Sequence, residues 1–225
     1  MKNREGYIKK EDRKKILLLC DDLRMHSGIA TMAKEFVFGL LHKYNWIHVG
    51  GAVSHPEAGK GLDLSEEVSK MTGVEDCDLK IIPFNGYGNA DLVRQLMLEH
   101  KPDGVFIFTD PRYWVWLFQI EREIRSQIPI MWLNIWDDYP APLYNRNYYD
   151  SVDCLMGISK QTVNINKIVL GDRGKNKIIE YVPHGINEES FFKIDETYEN
   201  YDKYLDFKNN LFENESEEID YVVFF

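Results

Sequence analysis

Seven short apolar runs alternate with stretches of helical spacing, and this alternation limits the folds open to the chain. The runs are Ile16–Cys20, Ile47–Val53, Leu79–Ile82, Val105–Phe108, Ile130–Ile135, Leu155-Met156 and Ile178–Val182. Each is too short for a helix of ordinary length and is apolar at consecutive positions, so both faces of the strand it forms are buried. Between them, Ala30–Leu41, Asn89–His100, Tyr113–Ser126 and about Gln161–Leu170 place apolar residues three and four apart. Asn89 is suited to cap the second of these, and Pro129 stops the third. Strands alternating with helices predict a Rossmann-like parallel sheet with helices on both faces, joined by right-handed crossovers.

In such a sheet, ligands bind at the loops after the carboxyl ends of the strands. Three of these junctions hold polar and aromatic side chains. The first runs from Cys20-Asp21-Asp22 to Ser27-Gly28-Ile29-Ala30. Ser-Gly ahead of a helix presents free backbone N–H groups to an anion, and Gly28 permits close approach. The same residues also read as a plain serine N-cap and turn. The second junction is Phe108-Thr109-Asp110-Pro111-Arg112-Tyr113-Trp114, and the third is Asn134-Ile135-Trp136-Asp137-Asp138-Tyr139-Pro140. Aromatic faces beside carboxylates suit sugars: the ring stacks on C–H groups while the carboxylate accepts O–H bonds. Asp137 and Asp138 serve equally well as caps. Trp132, inside a strand, reads as core.

Two further segments complete a pattern. They are Val152-Asp153-Cys154-Leu155-Met156-Gly157-Ile158-Ser159-Lys160-Gln161-Thr162, and Ile179-Glu180-Tyr181-Val182-Pro183-His184-Gly185-Ile186-Asn187 with Phe191-Phe192. Together with the glycine loop and Asn134–Pro140, in this order, they resemble retaining GT-B glycosyltransferases of family four over residues 15–193. Trp136 stands where the family often has His, and His184 where it often has Asn. The resemblance implies an N-terminal GT-B domain of a hexosyltransferase-type enzyme that moves a sugar, with retention, from a nucleotide-sugar to a sugar or glycan acceptor. It implies that Ser27 and Gly28 face the donor phosphates. Asp137 would be the catalytic or acceptor-side acid, with Asp110, Arg112, Trp136 and Asp138 around the acceptor and Pro183, His184 and Gly185 at the hinge. The nucleotide-sugar is a substrate, so no cofactor is implied.

The resemblance also orders the chain: a Rossmann-like domain over 14–193, an acidic linker or solvated helix over 194–218, and a strand over 219–225. Ile219-Asp220-Tyr221-Val222-Val223-Phe224-Phe225 is strongly strand-forming. It reads either as the first strand of a C-terminal, donor-holding domain missing here, carried by a separate chain or lost through truncation, or as an edge strand of the first sheet. Without that domain the enzyme is expected to be inactive. The alternative function is a non-catalytic binding or interaction module on the same fold.

The net charge of −10 excludes general nucleic-acid binding, because an acidic surface repels phosphate backbones. Cys20, Cys77 and Cys154 show no CxxC, and no DxD joins the acidic junctions, so no metal site is expected. Free thiols, and the absence of an apolar run long enough for a signal peptide or membrane span, point to a cytoplasmic protein.

Overall fold

The computed structural model describes residues 5–52, 54, 56–188 and 190–210. The candidate strand over 219–225 lies outside the described residues. The chain divides into two compact units, one ending at His184 and the other beginning at Gly185.

The first unit is α/β. Its elements in chain order are β1 (Lys14–Asp21), α1 (Gly28–Leu40), β2 (Tyr44–Gly51), β3 (Leu62–Asp63), α2 (Ser65–Thr72), β4 (Leu79–Pro83), α3 (Ala90–His100) and β5 (Gly104–Phe108). A 3-10 turn (Pro111–Trp114) leads to α4 (Val115–Gln119) and α5 (Glu121–Arg125). Then come β6 (Ile130–Asn134), α6 (Arg146–Asp150), β7 (Cys154–Gly157), α7 (Lys160–Leu170) and β8 (Ile178–Tyr181). Each expected run is a strand of one sheet, ordered β3-β4-β2-β1-β5-β6-β7-β8. All pairs are parallel except the short β3, which joins β4 antiparallel.

The leucine run of β1 shows why both faces are apolar. Leu17 and Leu19 enter a core with Ile47, Val93, Leu96, Ile107, Trp114, Trp132 and Ile165. Ile16, Leu18 and Cys20 enter a second core with Ala33, Val37, Trp46, Val68 and Phe106. Alternate side chains of one strand thus feed two layers of helices, α1 and α2 on one face and α3 to α7 on the other.

Three elements differ from the sequence expectation. The helix expected over 113–126 is interrupted at Ile120, whose φ of −108° and ψ of 13° leave helical geometry. Its N–H bonds Leu117 O instead of a carbonyl four residues back. The break lets Leu117, Phe118 and Ile124 all reach the same core. The elements β3 and α2 were not expected, because two residues make β3 and charged side chains dominate α2.

The second unit contains α8 (Tyr201–Asn210), a helix with no buried residue, within the span expected to be linker or solvated helix. Phe192 and Tyr198 pack ring to ring at 5.3 Å. Among the described residues no helix is long and apolar enough to cross a membrane.

Candidate functional site

The strand order reverses beside β1. From β1 the chain moves to β2 and β4 on one side, and then returns to place β5 on the other. The β1–β5 pairing stops at Leu19–Ile107, whereas β1–β2 continues to Asp21–Gly51. This divergence opens a crevice at the carboxyl edge, where an open α/β sheet binds ligands.

Asp21 organises the crevice. Its Oδ2 accepts the Ser27 hydroxyl at 2.7 Å, and its Oδ1 accepts the Tyr87 hydroxyl at 2.8 Å. The Ser27 oxygen in turn accepts the Ala30 N–H at 3.0 Å and caps α1. Ser27 is therefore the N-cap of α1, and its hydroxyl is engaged by Asp21. The first-turn amides of Gly28 and Ile29 remain for a ligand, since an α-helix leaves its first N–H groups unpaired. A methyl group added to Gly28 would meet nothing within 4 Å, so packing does not require glycine there.

Tyr87 joins three loops. Besides its bond to Asp21, its ring stacks on Tyr113 at 4.3 Å and meets Trp114 edge-on at 5.4 Å. Burial, then the bond to Asp21, raises its phenol above the ordinary value. Its loop lies against the end of β2: an added Cβ at Gly51 would stand 2.6 Å from Gly86 O and 2.8 Å from the Tyr87 ring.

Below this layer, His48 of β2 is fully buried. Its Nε2 accepts the Leu23 N–H at 3.3 Å, and its Nδ1 faces Leu18 O at 3.3 Å, so the neutral ring carries its proton on Nδ1. Burial lowers its pKa from 6.5 to about 4. Asp22 is almost wholly buried and forms a bidentate pair with Arg24. Burial raises the Asp22 carboxyl, and the bonds and charge of Arg24 outweigh it, for a net lowering.

At the β5 junction, Asp110 caps the 3-10 turn through Arg112 N and holds Arg112 Nε and Nη2 at 2.9 and 3.0 Å. Thr109, just before it, has φ of 126°, a conformation that L-residues rarely adopt. Its carbonyl accepts the Trp132 indole at 3.1 Å.

At the β6 junction, Trp136 is half-buried and donates to Asp138 O at 3.2 Å. Asp138 Oδ1 accepts Tyr139 N–H and so acts as a local cap. The exposed Asp137 is held through its backbone: Gln161 donates to its carbonyl at 2.5 Å. Among the described residues, no hydrogen bond or ion pair engages its carboxylate. A buried bond from Asn134 to Asn166 at 2.6 Å fixes the root of this loop. Ser159 caps α7 through Thr162 N–H at 2.9 Å.

Ser27, Gly28, Asp110, Arg112, Trp136, Asp137 and Asp138 thus all lie at the carboxyl edge, in the loops and first helical turns that follow β1, β5 and β6. No hydrogen bond or ion pair among the described residues joins the Ser27-Gly28 group to Asp137. His184 meets Phe108 of β5 edge-on at 6.0 Å, and the chain divides between His184 and Gly185. Sequence reasoning assigned no role to Tyr87 or His48 and placed Tyr113 only as one of the aromatic residues of the second junction. The one signal for Tyr87 was its place between Gly86 and Gly88, which have φ of 94° and 93°.

A cavity of about 850 Å³ opens at the opposite, amino edge. Its charges are engaged within the wall: Arg125 pairs with Glu121 and Asp153, Arg173 and Lys177 with Asp150, and Lys177 also donates to the Asp150 and Val152 carbonyls. Among the described residues no cluster of His, Cys, Asp or Glu is placed to hold a metal ion. No protein-family model matches the chain, and a search of curated proteins returns no match.

Proposed function

We propose that this chain is the acceptor-side domain of a retaining GT-B glycosyltransferase of family four. It would transfer a sugar from a nucleotide-sugar to a saccharide acceptor, and only together with a donor-binding domain. One observation carries the reading: a serine-capped helix N-terminus with an unobstructed glycine stands at the point of strand reversal.

The chemistry assigned to each residue is local. Gly28 and Ile29 N–H groups would hold a diphosphate oxygen, helped by the positive end of α1. Asp137, with its carboxylate unengaged, would accept a hydroxyl of the acceptor. Asp110, Arg112, Trp136 and Asp138 would line the acceptor side. Pro183, His184 and Gly185 would serve as the hinge.

Titration of the chain with UDP-, GDP- and dTDP-sugars, read by amide chemical shifts, tests this. Shifts at Gly28 and Ile29 with Kd on the order of 1 mM, and no turnover, are expected. Turnover by the chain alone, or no shift at these amides with any donor, would sink the reading.

A second reading, a non-catalytic binding module, has its own support. The Asp21 carboxylate already bonds Ser27 beneath the α1 N-terminus and places a resident negative charge near any incoming phosphate. If that charge excludes nucleotides, Asp21→Asn will create nucleotide-sugar binding that the natural chain lacks.

A further inference from the structure

Asn85 is the only asparagine of the chain that a glycine follows, and the pair Asn85-Gly86 stands on the loop between β4 and α3. Both residues are exposed, so water reaches them. Gly86 has no side chain to shield its backbone nitrogen, and its φ of 94° carries no steric cost for glycine. Among the described residues no hydrogen bond engages the Gly86 N–H.

An asparagine in this setting is open to attack by the nitrogen that follows it. A base removes the Gly86 amide proton, the nitrogen bonds Asn85 Cγ, and the Cγ–Nδ2 bond breaks. The departing nitrogen takes up a proton and leaves as ammonia, and a five-membered succinimide remains. Water then opens the ring, its hydroxyl adding to one carbonyl carbon and its proton to the ring nitrogen. Opening at Cγ leaves aspartate and an unchanged backbone. Opening at the Asn85 main-chain carbonyl leaves isoaspartate, whose backbone runs through Cβ and Cγ and is one carbon longer. Either product carries a carboxylate where the amide was neutral.

The loop has no slack for that extra carbon. On one side of Asn85, the Phe84 N–H is bonded to Gly50 O at 2.8 Å; on the other, Gly86 O accepts the Ala52 N–H at 2.8 Å. Ala52 itself is held at φ of 61°, a left-handed conformation that alanine seldom adopts. Tyr87 follows at once, with its hydroxyl on Asp21 and its ring on Tyr113. Of these anchors, Tyr87 alone is held through its side chain, so it is the one that yields when the backbone beside it lengthens.

We propose that Asn85 is a spontaneous deamidation site, and that its isoaspartyl product releases Tyr87 from Asp21 and so unfastens the crevice as the protein ages. The reaction needs only water and base. It holds whether or not the crevice takes a nucleotide-sugar.

The test is to age the whole chain at mildly acidic and at mildly alkaline pH, digest it and read its peptides by mass spectrometry. The peptide holding Asn85 should gain about 1 Da, in two chromatographic forms, at least ~tenfold faster than any other asparagine peptide. The gain should be faster in alkali, where the Gly86 nitrogen gives up its proton more readily. Asn85→Gln, whose longer side chain closes the ring poorly, should keep its mass over the same period. The isoaspartyl fraction of the intact protein should lose the nuclear Overhauser contact between the Tyr87 and Tyr113 rings. It should also denature at lower urea concentration, as Tyr87→Phe does. Asn85→Asp, which adds the charge without lengthening the backbone, should keep the ring contact. An Asn85 peptide that keeps its mass in the natural chain would overturn the proposal, as would a gain at the natural rate in Asn85→Gln. So would an isoaspartyl fraction that retains the ring contact, or an Asn85→Asp variant that loses it.

Discussion

The Tyr87 hydroxyl donates to Asp21 Oδ1 at 2.8 Å and so ties the loop after β4 to the end of β1. Removing that hydroxyl leaves a buried carboxylate with Ser27 as its remaining side-chain donor. Tyr87→Phe should therefore lower stability by about 1.5 kcal/mol, the low end for a bond to a charged group. Urea denaturation of the two proteins checks this; an unchanged midpoint would show that the bond does not hold the crevice together.

Gly28→Ala separates folding from binding. Nothing lies within 4 Å of the added methyl, and alanine is the better helix former. The melting temperature should stay the same or rise, with a gain below about 1 kcal/mol. If Gly28 faces donor phosphates, nucleotide-sugar affinity should fall by roughly fivefold, equivalent to about 1 kcal/mol. Unchanged affinity would remove Gly28 from the site.

Gly51→Ala should behave in the opposite way. Its methyl would stand 2.6 Å from Gly86 O, a backbone atom, and 2.8 Å from the Tyr87 ring. Overpacking of this sort costs about 1–3 kcal/mol and should displace the Tyr87 loop. A lower melting temperature, together with shifted Tyr87 ring resonances, is the expected result.

His48 makes stability depend on pH. Its folded pKa, about 4, lies below the ordinary 6.5, so between these values the unfolded chain binds a proton that the folded chain does not. The stability associated with the neutral ring is fully present above pH 6.5 and is lost as pH falls towards 4. The whole effect is on the order of 3 kcal/mol. In His48→Gln the slope of stability between pH 6.5 and 4 should flatten. An unchanged slope would place the acid sensitivity elsewhere.

The sheet was legible because its strands are buried on both faces, which leaves continuous apolar runs such as Ile16–Cys20. Caps were legible for a related reason: Ser27, Asn89 and Ser159 act on amides three residues away, within reach of local sequence. The site was legible only as separate junctions. Tyr87 matters through Asp21 and Tyr113, which lie far from it in sequence, so its flanking glycines are its one local mark. Similarly, β3 owes its pairing to β4 rather than to its own two residues. The strand expected over 219–225 lies outside the described residues.

The reversal of strand order also sets a timetable for synthesis. β1 emerges first, yet it occupies the middle of the sheet, and Ile16 must wait for Gly104 to be made before its second edge is covered. A nascent chain ending near residue 100 can complete the β1–β2–β4 half but leaves a leucine-rich backbone edge open. The crevice between β1 and β5 then forms only once β5 has been made. A chaperone that shields strand edges would have its strongest claim on this protein during that interval.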